Sequence, residues 1–361
     1  MDFSKIDKNF KINALTETNI KWINANDNPI ELRGGFYDQK EGIYRRVPKE
    51  IADQVSPGVA ELSKHTSGIR VRFSTNSPYV AIKAYEFYGG MYHHMTLCTQ
   101  LGFSFLVNEI SKKPFFTERT DIEKSVDNIF KIEKINYIDS DKEYNDIEIH
   151  FPLYNSVYKL EIGVKDGSII FPYQKPYSFD KPLLFYGSSI TQGGCSSKPD
   201  NQYSAIVAKK LNVDFINLGF SGSCLAEEEM SNYIKEFDPL IFIYDYDHNA
   251  PSLEHLQKTH YNLFENFRSK HKKTPVIFIS KPDFMQFDTT DNEKRRDLIY
   301  NNYLKAKNGG DNNVYFINGE DFFDKEYWDN CTVDGCHPTD LGFFGMAKSI
   351  GAVLRPILEN L

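Results

Sequence analysis

The sequence predicts an α/β domain preceded by an all-β domain, and three observations support this fold class. Up to about residue 170, apolar and polar residues alternate in short segments. Beyond residue 182, near-continuous apolar runs alternate with helix-like stretches, and residues 171–182 contain three prolines and no periodicity. An aperiodic, proline-rich segment is typical of a linker. We therefore predict domains at residues 1–170 and 183–361 joined by a linker at 171–182, and the length of 361 residues also favours two domains.

The alternation in the first region predicts antiparallel strands. In residues 69–73 the apolar side chains fall on one face, and Arg70 and Arg72 fall on the other. The same pattern recurs at residues 79–83, 147–151 and 158–164. Period-2 alternation at this density indicates strands with one face in water, and hence a β-sandwich. We expect the side chains of Arg70 and Arg72 to be solvated.

The second region predicts a doubly wound, parallel, five-stranded sheet. Its apolar runs, typical of strands covered on both faces, lie at residues 183–186, 215–218, 240–244, 276–279 and 314–317. Helix-like stretches lie near residues 202–211, 225–237, 252–270, 292–306 and 340–357. Strict alternation of strands and helices places helices on both faces of the sheet. Ligands bind such sheets outside the carboxyl ends of the strands, so the loops after the strands are the places to search for a site.

The first strand of the sheet ends in Tyr-Gly-Ser-Ser-Ile-Thr-Gln-Gly, residues 186–193. A glycine followed by a serine at a strand-to-helix turn exposes the serine hydroxyl and directs its N–H toward a substrate. Ser189 is therefore a candidate nucleophile. A polar turn with capping serines is the alternative, and a lone Gly-x-Ser would favour it.

The next two strands offer candidate donors to an oxyanion. After the second strand, Gly222 would present a bare main-chain N–H, although a glycine that only permits a tight turn is the equal alternative. After the third strand, Asn249 could donate its side-chain amide, or cap the helix that follows. His248 precedes Asn249, but no other reactive group forms a matching pattern with it.

The loop after the fifth strand contains Asp334 and His337, three positions apart and just before a helix. Both side chains can then lie on one loop, where the carboxylate would fix the imidazole tautomer. Helix capping needs only Thr339 or Asp340, so His337 has no obvious structural duty and a catalytic pair is favoured. A serine, an Asp/His pair and two donors at neighbouring strand ends are the set that acyl transfer requires.

These segments resemble the four conserved blocks of SGNH hydrolases. The blocks are Tyr-Gly-Ser-Ser-Ile-Thr-Gln-Gly, Asn-Leu-Gly-Phe-Ser-Gly, the Asp-x-x-x-Asn of residues 245–249, and Asp-Gly-x-His-Pro-Thr-Asp-Leu-Gly. More narrowly, they resemble the GDSL-like lipase/acylhydrolase branch that carries an N-terminal β-sandwich. Residues 61–73 and 151–164 resemble the accessory domain of that branch.

The resemblance implies a flavodoxin-like sheet preceded by a jelly-roll-like sandwich. It implies that Ser189 is the nucleophile, His337 the base and Asp334 the group that orients it. It also implies an oxyanion hole formed by the main-chain N–H groups of Ser189 and Gly222 and by the Asn249 amide. Two departures stand out: Ser188 replaces the Asp of the GDSL name, and the accessory domain's Gly-x-Asp-Leu-Tyr signature reads Gly-Phe-Ser-Phe-Leu at residues 102–106.

Composition excludes several other classes. A net charge of −8 argues against nucleic acid as the main partner. The sequence contains no run of about 18 apolar residues, which a membrane span would need. It also contains no apolar stretch near its N-terminus of the kind found in signal peptides. We therefore expect a cytoplasmic location, although a chain whose leader had been removed would look the same.

We predict no metal and no cofactor. The five cysteines contain no Cys-x-x-Cys pair, and neither cysteine nor carboxylate completes a ligand set around His93 and His94 at suitable spacing.

The predicted function is a serine esterase that hydrolyses small acyl esters through an acyl-enzyme. An accessory sandwich beside the catalytic domain resembles the arrangement in carbohydrate deacetylases, so O-acetyl groups on saccharides are the first expectation for the substrate. A carbohydrate-binding protein whose hydrolase-like domain has lost turnover is the alternative from another class. A phosphodiesterase is disfavoured because metal ligands are missing. The oligomeric state is not predicted.

Overall fold

The structure, a computed structural model, describes residues 5–7, 14–282 and 289–361. Its N-terminal part is antiparallel, with strands β1 (Ile20–Asn24), β2 (Glu31–Arg33), β3 (Phe36–Asp38), β4 (Ile43–Arg45), β5 (Arg70–Thr75), β6 (Tyr79–Phe87), β7 (Ser104–Val107), β8 (Ile110–Ser111), β9 (Ile129–Tyr137), β10 (Asn145–His150), β11 (Val157–Lys165) and β12 (Ile170–Phe171). Its helices are short: α1 (Lys49–Val55), α2 (Pro57–Leu62), α3 (Leu97–Leu101) and α4 (Arg119–Ile122).

These strands form the predicted sandwich. One sheet has the order β1-β11-β6-β9, and the other has the order β12-β5-β10-β7-β8 with β2 also paired to β5. Alternate apolar residues of both sheets, such as Val71, Phe73, Ile82 and Ile132, meet in one buried cluster. The period-2 alternation therefore correctly predicts which face of each strand turns inward.

The C-terminal part is a parallel sheet between helices. Its strands are β13 (Leu183–Gly187), β14 (Phe215–Gly219), β15 (Ile241–Asp245), β16 (Val276–Ile279) and β17 (Val314–Ile317). Its helices are α5 (Ser189–Gln192), α6 (Tyr203–Leu211), α7 (Glu228–Glu236), α8 (Leu253–Lys270), α9 (Thr289–Asn308) and α10 (Asp340–Leu358). The order β14-β13-β15-β16-β17 is that of flavodoxin-like sheets, and the predicted fold class is confirmed.

The expectation that Arg70 and Arg72 are solvated is wrong. Arg70 and Arg72 are 1% and 3% exposed. Arg70 forms an ion pair with Asp214, just before β14, and its guanidinium lies 4.1 Å from the centre of the Phe215 ring. Arg72 lies 3.7 Å from the centre of the Tyr173 ring, in the segment that follows β12. The outward face of β5 is therefore polar but buried, because Asp214 and Phe215 of the α/β region and Tyr173 cover it.

Two helices of the N-terminal part belong to the core of the α/β region. Val47, Ala52 and Val59, from α1, α2 and the residues before them, share a buried cluster with side chains of the parallel sheet and of α7. The sequence of this region showed only weak helical signals. The helices are short, and their apolar positions face a partner that is distant in sequence.

One helix in the described part of the chain, α10, is long and apolar enough to cross a membrane by length and composition, with a mean hydropathy of 1.3. Its buried side chains, including Phe343, Met346, Ile350 and Leu354, lie in the cluster beneath the parallel sheet. A core helix of this kind passes the same test, so α10 is only weak support for a membrane span.

Candidate active site

The predicted catalytic residues lie at the carboxyl edge of the parallel sheet. Ser189 is the first residue of α5, directly after β13, and β13 lies between β14 and β15. This is the point where the strand order reverses, and it forms the crevice in which α/β sheets bind ligands.

The turn from β13 into α5 fixes Ser189. Ser188 is the N-cap residue, and its hydroxyl accepts the N–H of Ile190 at 3.1 Å. Gly187 allows the close approach of β15, because a Cβ at position 187 would overlap the Asp245 carboxylate and the Thr191 hydroxyl. Ser189 is only 4% exposed, so the expectation that this turn exposes its hydroxyl is wrong: the hydroxyl lies against the His337 ring.

Ser189, His337 and Asp334 form one hydrogen-bonded chain. Ser189 Oγ lies 2.9 Å from His337 Nε2, and His337 Nδ1 lies 2.8 Å from Asp334 Oδ2. The other carboxylate oxygen of Asp334 accepts the main-chain N–H groups of His337 at 2.8 Å and Cys336 at 3.0 Å. Partial burial raises the pKa of Asp334, but these hydrogen bonds and the His337 ring outweigh it and leave the pKa below its usual value. Asp334 therefore remains an anion beside the imidazole.

The two other predicted donors lie on the neighbouring loops. Asn249 donates from Nδ2 to the main-chain oxygen of Phe220 at 2.9 Å, which ties the loop after β15 to the loop after β14. An amide carries two N–H donors, so one remains for a ligand. Gly222 has φ of +65°, a left-handed conformation that glycine adopts without strain. Ser252, rather than Asn249, caps α8 by accepting the N–H of His255, so the capping alternative for Asn249 does not hold.

A buried polar cluster that the sequence did not predict supports the nucleophile turn from behind. The Asp245 carboxylate accepts hydrogen bonds from the hydroxyls of Thr191 and Tyr203. Burial raises the pKa of Asp245 to about 7, although these hydrogen bonds oppose the shift. No short motif links residues 191, 203 and 245, so only the packing of β13, β15 and α6 brings them together.

The sandwich also contributes groups to the site. Tyr154 donates from its hydroxyl to the main-chain oxygen of Ser189 at 3.0 Å. Gln192 lies 3.2 Å from His65 Nδ1 through its Nε2, while its Oε1 accepts the N–H of Ser221 at 3.0 Å. Tyr154 of the sandwich thus contacts the nucleophile turn directly. His65 of the sandwich contacts Gln192, which in turn holds Ser221, the residue before Gly222 in the loop of the predicted oxyanion hole.

Arg46 adds a further contact to the loop after β14. It donates to the main-chain oxygens of Asn217 at 3.1 Å and Gly219 at 2.6 Å, and burial lowers its pKa to about 9. The sequence offered no signal for this contact of Arg46, because Asn217 and Gly219 lie about 170 residues away and accept through the main chain.

Two histidines outside the predicted triad, His248 and His94, lie near these residues. His248 Nε2 is 2.6 Å from Cys336 Sγ. The His94 ring lies 5.5 Å from the His337 ring, centre to centre, and His93 is exposed. The sequence places His94 in the accessory region, where nothing indicated its proximity to His337.

Comparison with known families identifies both parts of the chain. Residues 180–355 match the GDSL-like lipase/acylhydrolase family, and residues 20–170 match the N-terminus of SGNH-hydrolase-type esterases. Curated protein sequences gave no match.

The altered signature at residues 102–106 retains a polar contact. Ser104, where the signature has Asp, donates to Asp200 at 2.7 Å and accepts the Asp200 N–H at 3.1 Å. The carboxylate at this junction is thus supplied by the α/β region.

Solved structures show the same arrangement over nearly the whole chain. A protein described as a GDSL-like lipase from Bacteroides ovatus is 25% identical, with a TM-score of 0.79, over 94% of this chain and 98% of that one. The salicylyl-acyltransferase SsfX3 of a tetracycline biosynthetic pathway is 17% identical, with a TM-score of 0.73, over 92% and 96%. An acetyl xylan esterase from the rumen bacterium Butyrivibrio proteoclasticus is 14% identical, with a TM-score of 0.57, over 94% and 99%. With both family matches and this shared architecture, the chain belongs to the SGNH (GDSL-like) hydrolases that carry an N-terminal β-sandwich.

Proposed function

We propose that this protein is a serine esterase that removes small acyl groups, O-acetyl groups above all, from saccharides. The observation that carries the proposal is the continuous hydrogen-bonded chain from Ser189 Oγ through His337 to Asp334. Nucleophile, base and orienting carboxylate in this order are the requirement for nucleophilic acyl transfer.

In the proposed mechanism, His337 Nε2 takes the hydroxyl proton as Ser189 Oγ attacks the ester carbonyl. Asp334 holds the imidazole in the required tautomer and stabilises the imidazolium that forms. The main-chain N–H groups of Ser189 and Gly222 and the second N–H of the Asn249 amide would stabilise the oxyanion. His337 then protonates the departing alcohol, and a water molecule activated by His337 cleaves the acyl-enzyme.

A cleft beside Tyr154 supports a saccharide as the alcohol part of the substrate. Its volume is about 430 Å³, and its lining includes Phe87, Tyr92, Tyr154, Glu61, Gln100 and Asn155. The Tyr92 ring packs edge-on against the Tyr154 ring at 5.4 Å, and the Tyr154 hydroxyl contacts the Ser189 main chain. Aromatic walls with carboxylate and amide groups suit the apolar faces and hydroxyls of a sugar ring. A fold neighbour acts on acetylated xylan, which agrees with this substrate class.

The first test is the Ser189→Ala variant with p-nitrophenyl acetate and a fluorophosphonate probe. We expect the variant to lose turnover by at least about 10⁴-fold and to lose labelling, because no other group supplies the attacking oxygen. Ser188→Ala is the matched control: it removes only an N-cap, costs about 1 kcal/mol of stability, and should still be labelled. If the wild-type protein is neither labelled nor active, the alternative hypothesis is favoured, namely a carbohydrate-binding protein whose hydrolase-like domain has lost turnover.

The second test compares two tyrosines of the sandwich that are equally exposed. Tyr92 and Tyr144 are each 40% exposed, but only Tyr92 lines the cleft beside Tyr154. We expect Tyr92→Ala to lower kcat/KM for acetylated oligosaccharides by about tenfold, with little change for p-nitrophenyl acetate, because remote binding energy is used only by the larger substrate.

Tyr144→Ala should leave both activities near wild type. Equal losses on both substrates in the Tyr92 variant would mean that Tyr92 supports the fold rather than the saccharide.

A further inference from the structure

We infer that His94, Cys195 and His337 form a binding site for a divalent transition-metal ion of the Zn²⁺ type. Each residue offers one ligand atom, and the three atoms lie within 4.8 Å of one another. Two imidazoles and one thiol are the ligands that Zn²⁺ and its neighbours in the series prefer.

Hydrogen bonds between the two parts of the chain hold these residues together. The thiol of Cys195 donates to the main-chain oxygen of His94 at 3.5 Å. Thr96, two residues after His94, donates to the main-chain oxygen of Ser197, two residues after Cys195, at 2.8 Å. Cys195 itself has φ of +72°, an uncommon conformation for a residue with a side chain. The strained backbone at position 195 therefore lies where the two loops are joined.

The ligand atoms need only a small adjustment to bind an ion. Metal–ligand bonds of about 2.1 Å to nitrogen and 2.3 Å to sulfur place tetrahedral ligand atoms roughly 3.5 Å apart. His94 is exposed, and among the described residues no hydrogen bond holds its ring nitrogens. Rotation of the His94 side chain can therefore close the gap. Binding exchanges the S–H bond of Cys195 for an S–metal bond and releases the thiol proton to water.

His337 is already oriented as metal-binding histidines are. Its Nδ1 is hydrogen-bonded to the Asp334 carboxylate, which leaves Nε2 as the atom for the ion. Histidines that bind metals almost always donate their other N–H to such an acceptor. Gly194 lies against the edge of the same ring at Cδ2, the carbon bonded to Nε2. A Cβ at position 194 would lie only 3.1 Å from Cδ2. The chain thus delivers Cys195 to the side of the ring that carries Nε2.

A second group of possible ligands, Asp334, Cys336 and His337, is less suitable. Both oxygens of Asp334 already accept hydrogen bonds from the same loop, and Cys336 Sγ contacts His248. An ion there would have to break the contacts that orient His337.

The ion would bind His337 Nε2, the same atom that contacts Ser189 Oγ. His337 Nε2 cannot accept the serine proton while it is bound to a metal, so binding should inhibit the esterase reversibly. The inhibition rests on the proposed function, whereas the binding does not.

The binding test uses Co²⁺ and the full-length Ser189→Ala protein after treatment with a chelator. We expect the absorption bands of tetrahedral Co²⁺, with a thiolate-to-metal band in the near ultraviolet, and their loss when Zn²⁺ is added. The thiolate band should be absent from Ser189→Ala proteins that also carry Cys195→Ser. His94→Ala should weaken Co²⁺ binding by about 10-fold to 100-fold or more.

His93→Ala is the matched control, since His93 is the exposed neighbour of His94 and does not belong to the cluster. It should bind Co²⁺ like its parent. A thiolate band that persists in Cys195→Ser and disappears in Cys336→Ser would overturn the proposal, as would the absence of any Co²⁺ bands.

Inhibition is then measured with protein that retains Ser189, as the Zn²⁺ concentration that halves the rate of p-nitrophenyl acetate hydrolysis. Each variant is compared with its own metal-free rate. That concentration should rise at least about tenfold in His94→Ala and remain unchanged in His93→Ala. Co²⁺ binding without esterase activity in the metal-free protein would refute the proposed function and leave the metal site intact. Equal inhibition of both variants would refute the inhibitory role of this site.

Discussion

The two sheets of the sandwich have the same alternating sequence pattern but different surroundings on their outward faces. On β9, Lys131 and Glu133 form an ion pair at 3.1 Å with side chains 44% and 35% exposed. On β5 and β10, Arg72 and Glu148 form an ion pair at 3.2 Å with side chains 4% and 16% exposed. The first pair lies in water, whereas the second lies against the α/β region and the segment that follows β12.

This difference shows that a polar face is not necessarily a wet face. On the covered sheet each charge has several partners: Glu148 pairs with Arg72, lies 3.7 Å from Arg70 and 2.6 Å from His150. Burial raises the pKa of Glu148, but His150 and the two arginines outweigh burial and lower it to about 2. A buried charge is tolerated only with such compensation, so these pairs should respond to mutation unlike the pair on the open face.

The largest effect is expected when one partner of the covered network is removed. Arg70→Met should lower the free energy of unfolding by about 3–5 kcal/mol, because Asp214 and Glu148, whose side chains are only 13% and 16% exposed, would lose the buried cation that lies between them. Urea denaturation followed by tryptophan fluorescence measures this, since Trp22 lies on β1 and Trp328 lies beyond β17. A loss below about 1 kcal/mol would show that Arg70 behaves like a surface residue.

A smaller effect, which depends on pH, is expected for Glu148→Gln. A carboxylate whose folded pKa is about 2 rather than 4.5 contributes stability above pH 4.5, and that contribution is lost as the pH falls toward 2. The stability difference between wild type and variant should therefore shrink by about 1.4 kcal/mol per pH unit below pH 4.5. Denaturation curves between pH 7 and pH 3 test this, and a difference that stays constant below pH 4.5 would contradict it.

The smallest effect is expected on the open face. Lys131→Ala should change the free energy of unfolding by only about 0.2–1 kcal/mol, because its ion pair with Glu133 lies in high dielectric. Added salt should weaken even this difference. If Lys131→Ala cost as much as Arg70→Met, the contrast between the two faces would not hold.

The same distinction explains how much of the fold follows from the sequence. The strand predicted at residues 276–279 is found there, and the helix predicted near 252–270 spans Leu253–Lys270, because local periodicity reports burial directly. The cover over Arg70 could not be predicted, since Asp214 lies 144 residues away and no repeat or spacing links the two.

The candidate site divides in the same way. Ser189, Asp334 and His337 could be named because they follow strands of one predicted sheet in the order that acyl transfer requires, within segments that resemble the conserved blocks of SGNH hydrolases. The structure brings these three side chains into contact, and their catalytic roles remain predictions for the Ser189 experiment. Tyr154, Arg46 and His94 carried no signal, because tyrosines, arginines and histidines occur throughout the chain and their partners here are main-chain atoms or a single ring.

The placement of α1 and α2 has a consequence for synthesis on the ribosome. Their apolar side chains, among them Ala52 and Val59, share a buried cluster with side chains of α7, which emerges roughly 170 residues later. At about 5–20 residues per second, this apolar surface stays uncovered for roughly 10–35 s while the rest of the chain is made. The nascent sandwich therefore exposes an apolar, aggregation-prone surface on α1 and α2. We expect it to need a chaperone until the parallel sheet has been translated.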